Sequence, residues 1–390
     1  MRASLRPLSF IPQIIVPTVV LGIALTACEE KIDVQPSVQA PGKVLVLDEG
    51  GVEGDTGWWP SLTIDRHDIP HLSYCDAHRG DLRYATKHHG VWQTQVVLAK
   101  GAVGKYTAIA TSPQGEIGIA FYDQDAKLLR FAHRRNIAPL HKSPTISKEE
   151  PSPWEIERVA WGPEIGMASE LRYDADGIPH LFYYIPSGKL IHAVRKQPGD
   201  WKRQVIEQAV GSWTVRIDAV LRPEGFWVSF VDRQFKDTRL LLARPAPSPV
   251  NYTTEVIADI DGPGWRSQLV FADNQPLLFY SLTLKPHLRL AYRHNNEWRH
   301  ALLTDHSANF AAAATSGVVL IAYEDTTHSS TGSGSIHLLR RENSTWRRFS
   351  VDQEGPTGSY LAVALNSRGQ AVVAYYATEI RGLKVYDETP

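Results

Sequence analysis

The feature that most constrains this chain is a four-part unit that first appears at Trp59–Leu98, WPSLTIDRHDIPHLSYCDAHRGDLRYATKHHGVWQTQVVL, and returns six times before the C-terminus. Leu62-Thr63-Ile64 alternates apolar and polar and runs into the polar turn Arg66-His67-Asp68, which reads as a half-buried strand (a). His71–Tyr74 is a second run (b), ending at Asp76, whose carboxylate suits a turn cap, with Gly80 supplying permissive backbone. Leu82–Ala85 alternates again (c), and Trp92–Leu98 is the last run (d). The links are too short for crossover helices, so the four strands must form an antiparallel meander.

Two aromatic slots bring the copies into register. The end of strand b holds Tyr74, Phe121, Tyr183, Phe230, Tyr280, Tyr323 and Tyr375, spaced by 43 to 62 residues. The strand d slot holds Trp92, Trp154, Trp201, Tyr252, Trp298 and Trp346, and strand c repeats as LRYA, LRFA, LIHA, LLLA, LRLA, IHLL and LKVY. A four-stranded sheet of this kind cannot bury both faces until neighbours cover them, so the pattern predicts an all-β, seven-bladed β-propeller. The seventh copy stops after strand c. Lys43–Leu47, just before the first copy, has the pattern of a strand d with no unit of its own. It is expected to complete the last blade and close the ring, which removes two open sheet edges.

Upstream, Arg2 and Arg6 precede an apolar stretch from Ile11 to Ala24 and then Leu25-Thr26-Ala27-Cys28. This is the layout of a secretory signal peptide, interrupted by Pro12 and Pro17 and short for a membrane span. Leu-Thr-Ala-Cys resembles a bacterial lipobox, which implies cleavage before Cys28 and acylation there. Glu29 in place of aspartate favours an outer-membrane address. The expected division is a signal peptide over 1–27, a lipidated tether over 28–42 and the propeller over 43–390. Acylation of Cys28 leaves Cys75 as the one remaining cysteine of two, a buried filler with no disulfide partner. With 41 Lys and Arg against 42 Asp and Glu and no basic stripe, nucleic acid is an unsuitable partner. A monomer is expected.

Function must then be grafted where the blades differ. Strand a is innermost and carries small residues at Ala108 and Ala110, Ala312 and Ala314, Ala362 and Ala364, but Glu170, Arg172, Arg216, Asp218 and Gln268 in the third to fifth blades. These charges sit beside the axis, either as an internally paired wall or as the grip on a polar ligand. At the start of strand a stand Trp58 and Trp59, Tyr106, Trp213, Trp265, Phe310 and Tyr360, which read as a sugar platform around the axis or as wedges between blades. The ligand-binding candidates are Trp59, Tyr106, Glu170, Arg172, Trp213, Arg216, Asp218, Trp265, Gln268 and Tyr360. Asn136–Pro153 and Thr326–Ser335 read as surface loops.

Sharper motifs are missing. His71 and His180 occupy one repeat slot in different blades and so share a geometry without sharing a ligand. Asp76, Asp123, Asp232 and Asp325 recur after strand b as turn caps would. No nucleophile elbow, zincin, Walker or EF-hand pattern occurs, and no metal or cofactor is expected. The units PSLTIDRHDIPHLSYCDAHRGDLRYA and SELRYDADGIPHLFYYIPSGKLIHA resemble the repeat of bacterial secreted and lipoprotein propellers, broadly similar to sialidase-like and BNR-type repeats. The resemblance implies the fold over residues 43–387. It does not carry sialidase activity, since the Asp-box S-x-D-x-G-x-x-W is absent and no arginine triad can be assigned. The expectation is a lipid-anchored envelope propeller that binds or scaffolds, glycan being the foremost ligand. The alternatives are a carbohydrate-active lyase or glycosidase, and a protein-interaction hub.

Overall fold

The computed structural model describes residues 30–135, 152–208, 211, 216–234, 237–247, 251–261, 264–282, 286–307, 309–327 and 334–389. The signal peptide, Cys28 and most of the Asn136–Pro153 insertion lie outside them, as does the middle of Thr326–Ser335. Seven four-stranded antiparallel blades form a ring, with no helix among the described residues. The inner strands touch in order around the axis, and that of the seventh blade returns to that of the first. Blades six and seven share one long strand, Thr345–Leu365, whose first part is strand d of one and whose last part is strand a of the other.

The closure is as expected. Lys43–Asp48 pairs antiparallel with Gly382–Asp387 as the outer strand of the seventh blade, with Val385 opposite Leu45. The segment upstream departs from the reading as a tether. Glu30–Lys31 lies parallel on the outer strand of blade five, and Val34–Gln39 lies parallel on that of blade six. Residues 30–48 thus strap the rims of three consecutive blades. Their polar composition hid this, because edge pairing uses backbone groups and needs no side-chain pattern.

The core is divided by wedge rather than by blade. Leu240 and Leu242 pack towards blade five, whereas Leu241 and Ala243 of the same strand pack towards blade three. Period-two alternation thus feeds two neighbouring wedges from one strand, so no blade has a core of its own. All seven aromatic residues of the strand b slot are at most 2% exposed. Three of the four recurring aspartates cap the turn after strand b, and all four hold an arginine. Asp76 accepts from the Arg79 N–H and pairs with Arg83, and Asp123 accepts from the Ala126 N–H and pairs with Arg130. Asp325 repeats this with the Thr327 N–H and Arg348, whereas Asp232 pairs with Arg239 but accepts from the Gly211 N–H, 21 residues earlier, and so ties down the preceding connection instead of capping its own turn.

Candidate functional site

Strand register places one inner-strand slot in every blade: Ser61, Ala108, Glu170, Asp218, Gln268, Ala311 and Ala362. Its polar members join blades. Inner strands of neighbouring blades splay too far apart for a sheet ladder, leaving their N–H groups in need of acceptors. Ser61 Oγ accepts from Ile109 N (3.0 Å), Asp218 Oδ2 from Leu269 N (2.9 Å) and Gln268 Oε1 from Ala312 N (2.6 Å). Arg172 does the converse, donating Nε to Ala219 O at 2.7 Å and Nη2 to Asp218 Oδ1 at 3.0 Å, while it also pairs with Glu170. Burial pushes Glu170 up to about 7, against the lowering field of Arg172. Four of the ten candidates, Glu170, Arg172, Asp218 and Gln268, are therefore engaged in stapling blades three to six.

Two residues before that slot, the side chains change character: Trp59, Tyr106, Ala168, Arg216, Arg266, Asn309 and Tyr360. Trp59, Tyr106 and Tyr360 all have left-handed backbone, with φ of 50°, 54° and 58°. Each sits where the a–b register shifts, so a bulge turns the side chain out of the ladder. Such conformations cost of order 1–3 kcal/mol each in non-glycine residues and persist only where the surroundings enforce them. Their result is a continuous aromatic wall across blades seven, one and two. Trp59 lies 4.7 Å from Tyr106 and 5.6 Å from Tyr360, ring centre to ring centre, and Trp58 bridges Trp59, Tyr360 and Tyr376 at 5.3 to 5.8 Å.

Facing this wall, blades four and five present Arg216 and Arg266. Arg266 donates Nη1 to Phe310 O at 2.9 Å, and burial with the field of Arg216 pushes it down to about 9. Arg216 is half-buried and has no hydrogen-bond partner among the described residues; burial lowers it too, with Glu170 and Asp218 opposing. Both remain cations at neutral pH; the lowering comes first from burial, which the nearby carboxylates only partly offset. Glu324 stands by, its carboxyl raised by burial although Asn309 Nδ2 (2.6 Å) and Gly334 N (3.1 Å) donate to it.

Of the candidates named from the sequence, the structure places Trp59, Tyr106, Tyr360 and Arg216 around the axial mouth, and it adds Arg266, which is not among them. The sequence alignment of Trp265 and Phe310 with the aromatic slot is corrected by the register, which gives that place to Arg266 and Asn309. Phe310 is instead a fully buried core residue. Trp213 and the side chain of Trp265 lie outside the described residues. Counting back two positions from each inner-strand slot would have exposed the arginine.

No protein-family model matches the chain, and no curated protein matches its sequence. Solved structures do match. An ulvan lyase representing a new polysaccharide lyase family superposes with a TM-score of 0.55 at 12% identity, over 87% of this chain and 95% of its own. The SapL1 lectin, solved with alpha methyl fucoside, gives 0.50 at 12% identity over 77% and 98%. The phage phi92 endosialidase gives 0.51 at 9% identity over 90% and 69%. The likeness is one of fold. It makes this chain a seven-bladed propeller and leaves its chemistry to its own residues.

Proposed function

We propose that the protein is a carbohydrate-binding propeller of the bacterial cell envelope, anchored through acylated Cys28, which takes its glycan at the axial mouth. The observation that carries this reading is the trio Trp59, Tyr106 and Tyr360, held in left-handed bulges to form an aromatic wall opposite Arg216 and Arg266. Aromatic faces stack on the apolar faces of sugar rings, and arginine forks orient hydroxyls or carboxylates. The solved structures of the same fold, a fucoside-bound lectin and an ulvan lyase among them, support a glycan as the ligand class. Binding is favoured over hydrolysis because a glycosidase needs two carboxyls free to act across the bond. Here Glu170 is paired with Arg172, and Glu324 is hydrogen-bonded by Asn309 and Gly334.

The test is a glycan array probed with the chain from residue 30 onward, followed by titration of any hit against Trp59→Ala and Arg266→Met. Each substitution is expected to weaken binding by about tenfold or more, the 1.4 kcal/mol that a central aromatic or arginine anchor commonly exceeds. Binding unchanged in both variants, with unchanged melting temperatures, would place the glycan elsewhere.

A further inference from the structure

At the opposite end of the blades the wedges follow a second rule. Three residues beyond the strand c slot that faces the inner position (Tyr84, Phe131, His192, Leu242, Leu290, Leu338 and Val385), the chain reads Lys87, Arg134, Arg195, Pro245, Arg293, Arg341 and Glu388. Each of the five cations reaches back across the wedge to the preceding blade. Lys87 pairs with Asp387 at 3.1 Å, Arg293 with Glu255 at 2.9 Å and Arg341 with Asp273 at 2.9 Å. Arg134 lies over Tyr84 at 5.2 Å, and Arg195 lies over Phe131 at 5.7 Å while pairing with Glu157 at 2.7 Å. At blade seven the polarity is reversed, with Glu388 meeting Arg340 of blade six.

The receiving position is also repeated. On strand d, opposite the c slot, stand Gln95, Glu157, Gln204 and Glu255 in the first four blades. Gln95, with its amide turned to accept, takes Arg134 Nη1 at 3.2 Å, Glu157 takes Arg195, and Glu255 takes Arg293. Gln204 is the exception. The next blade offers it Pro245 where an arginine is due, and Arg244 beside the proline points away, onto Trp227 at 5.3 Å and towards Glu255.

A cavity of about 320 Å³ opens in that wedge, bounded by Gln204, His192, His180, Asp174, Tyr252 and Pro245 among others. None of its lining residues is a lysine or arginine. Its polar groups form one chain, from Gln204 and Tyr252 to His192 Nδ1 (2.8 and 3.1 Å), from His192 Nε2 to His180 Nδ1 (2.7 Å), and from His180 Nε2 to Asp174 Oδ2 (3.1 Å). Burial keeps both imidazoles neutral, pushing His192 down to about 3, so the Asp174 carboxylate sets the sign of the site. Blade one has the same device as Asp65, His71 and Tyr84, but there Arg134 fills the wedge. The 420 Å³ cavity of the next wedge likewise keeps Arg293 in its wall.

We propose that the cavity between blades three and four is an arginine socket without its arginine, and that it binds the guanidinium group of a ligand. The cation would enter where Pro245 has replaced the internal one, beside the His192 ring and the Gln204 amide, with Asp174 supplying the opposite charge. A guanidinium can come from a small guanidino compound or from an arginine side chain on another polypeptide. The chemistry of the socket is the same for both.

Calorimetric titration of the full chain in detergent, with agmatine and with the blocked peptide Gly-Arg-Gly, tests this. At least one probe should bind, and the blocked peptide carrying citrulline for arginine should bind at least about tenfold more weakly, since it keeps the shape and loses the charge. Pro245→Arg should abolish binding by filling the socket from within, and Gln204→Met should weaken it. Tighter binding of the peptide than of agmatine identifies a polypeptide arginine as the source, and the reverse identifies a small molecule. No binding of either probe, equal binding of the citrulline peptide, or undiminished binding by Pro245→Arg overturns the proposal. If Pro245→Arg shows no folded melting transition, undiminished binding by Gln204→Met takes its place as the refuting result.

Discussion

His192 shows how much one buried residue can bind the fold to pH. In the unfolded chain an imidazole titrates near 6.5, and burial pushes this one down to about 3. Between those values the unfolded chain takes up a proton that the folded chain refuses, so stability falls as pH falls. The contribution is complete above about pH 6.5 and is lost at roughly 1.4 kcal/mol per pH unit below it. Chemical denaturation of the wild type and of His192→Gln at pH 7 and pH 4.5 should therefore show a smaller acid loss in the variant; equal losses would contradict the assignment. Cys75 is the opposite case, a group whose chemistry burial suppresses. It is 1% exposed, its Sγ lies 3.5 Å from Val103 O, and desolvation pushes the thiol up to about 12. Iodoacetamide at pH 8 should leave it unmodified in the folded protein and alkylate it on unfolding; labelling of the native protein at the rate of a free thiol would refute this.

At the level of the strand, the ring is closed by side chains and backbone of different kinds, and these can be separated by deletion. Removing Lys43–Leu47 takes a whole outer strand from the seventh blade and bares the Gly382–Asp387 edge, where Leu383, Val385 and Tyr386 are buried. Removing residues 30–39 takes edge pairings from blades five and six and the partial cover of Ile32 and Val34, but no strand of any blade, and its exposed members include Val38 at 54%. The first deletion should lower the melting temperature far more than the second, and equal losses would show that the ring does not depend on its N-terminal strand. These two segments also mark what sequence could and could not reveal. Lys43–Leu47 was legible because its side chains repeat the strand d pattern, whereas the strap was not, since its pairing is mainly through the backbone and its few side-chain contacts, such as Ile32 and Val34 on the core and Glu30 with Tyr292, follow no repeat. Arg266 was hidden for a related reason. A one-residue bulge at Trp59, Tyr106 and Tyr360 changes which face a side chain takes, and nothing in residue type announces a left-handed aromatic.

For the whole molecule, the strap decides how an anchored ring would stand. Residues 30–39 run along the rim from blade five to blade six before the chain enters the last blade, so the polypeptide joins the propeller at its side and not at either face. With Cys28 acylated as proposed, only Glu29 separates the lipidated residue from the strand at Glu30, a reach of at most about 7 Å. The blade-five rim would then lie close to the bilayer, leaving the aromatic mouth and the socket between blades three and four open on opposite faces. Anchoring itself is the first thing to measure. Each buried acyl methylene contributes roughly 0.8 kcal/mol, so multiple chains would hold the protein in the membrane fraction, and Cys28→Ser should leave it unprocessed or move it to the soluble fraction. Orientation follows from a fluorophore at Arg299, exposed on the outer strand of blade five, and another at Val91, exposed at the rim of blade one. A quencher carried on lipid headgroups should dim the first more than the second in reconstituted wild type. Equal quenching of a membrane-bound protein would mean that the ring is not held by its blade-five rim, whereas a wild type wholly soluble after growth with labelled palmitate would refute the lipid anchor.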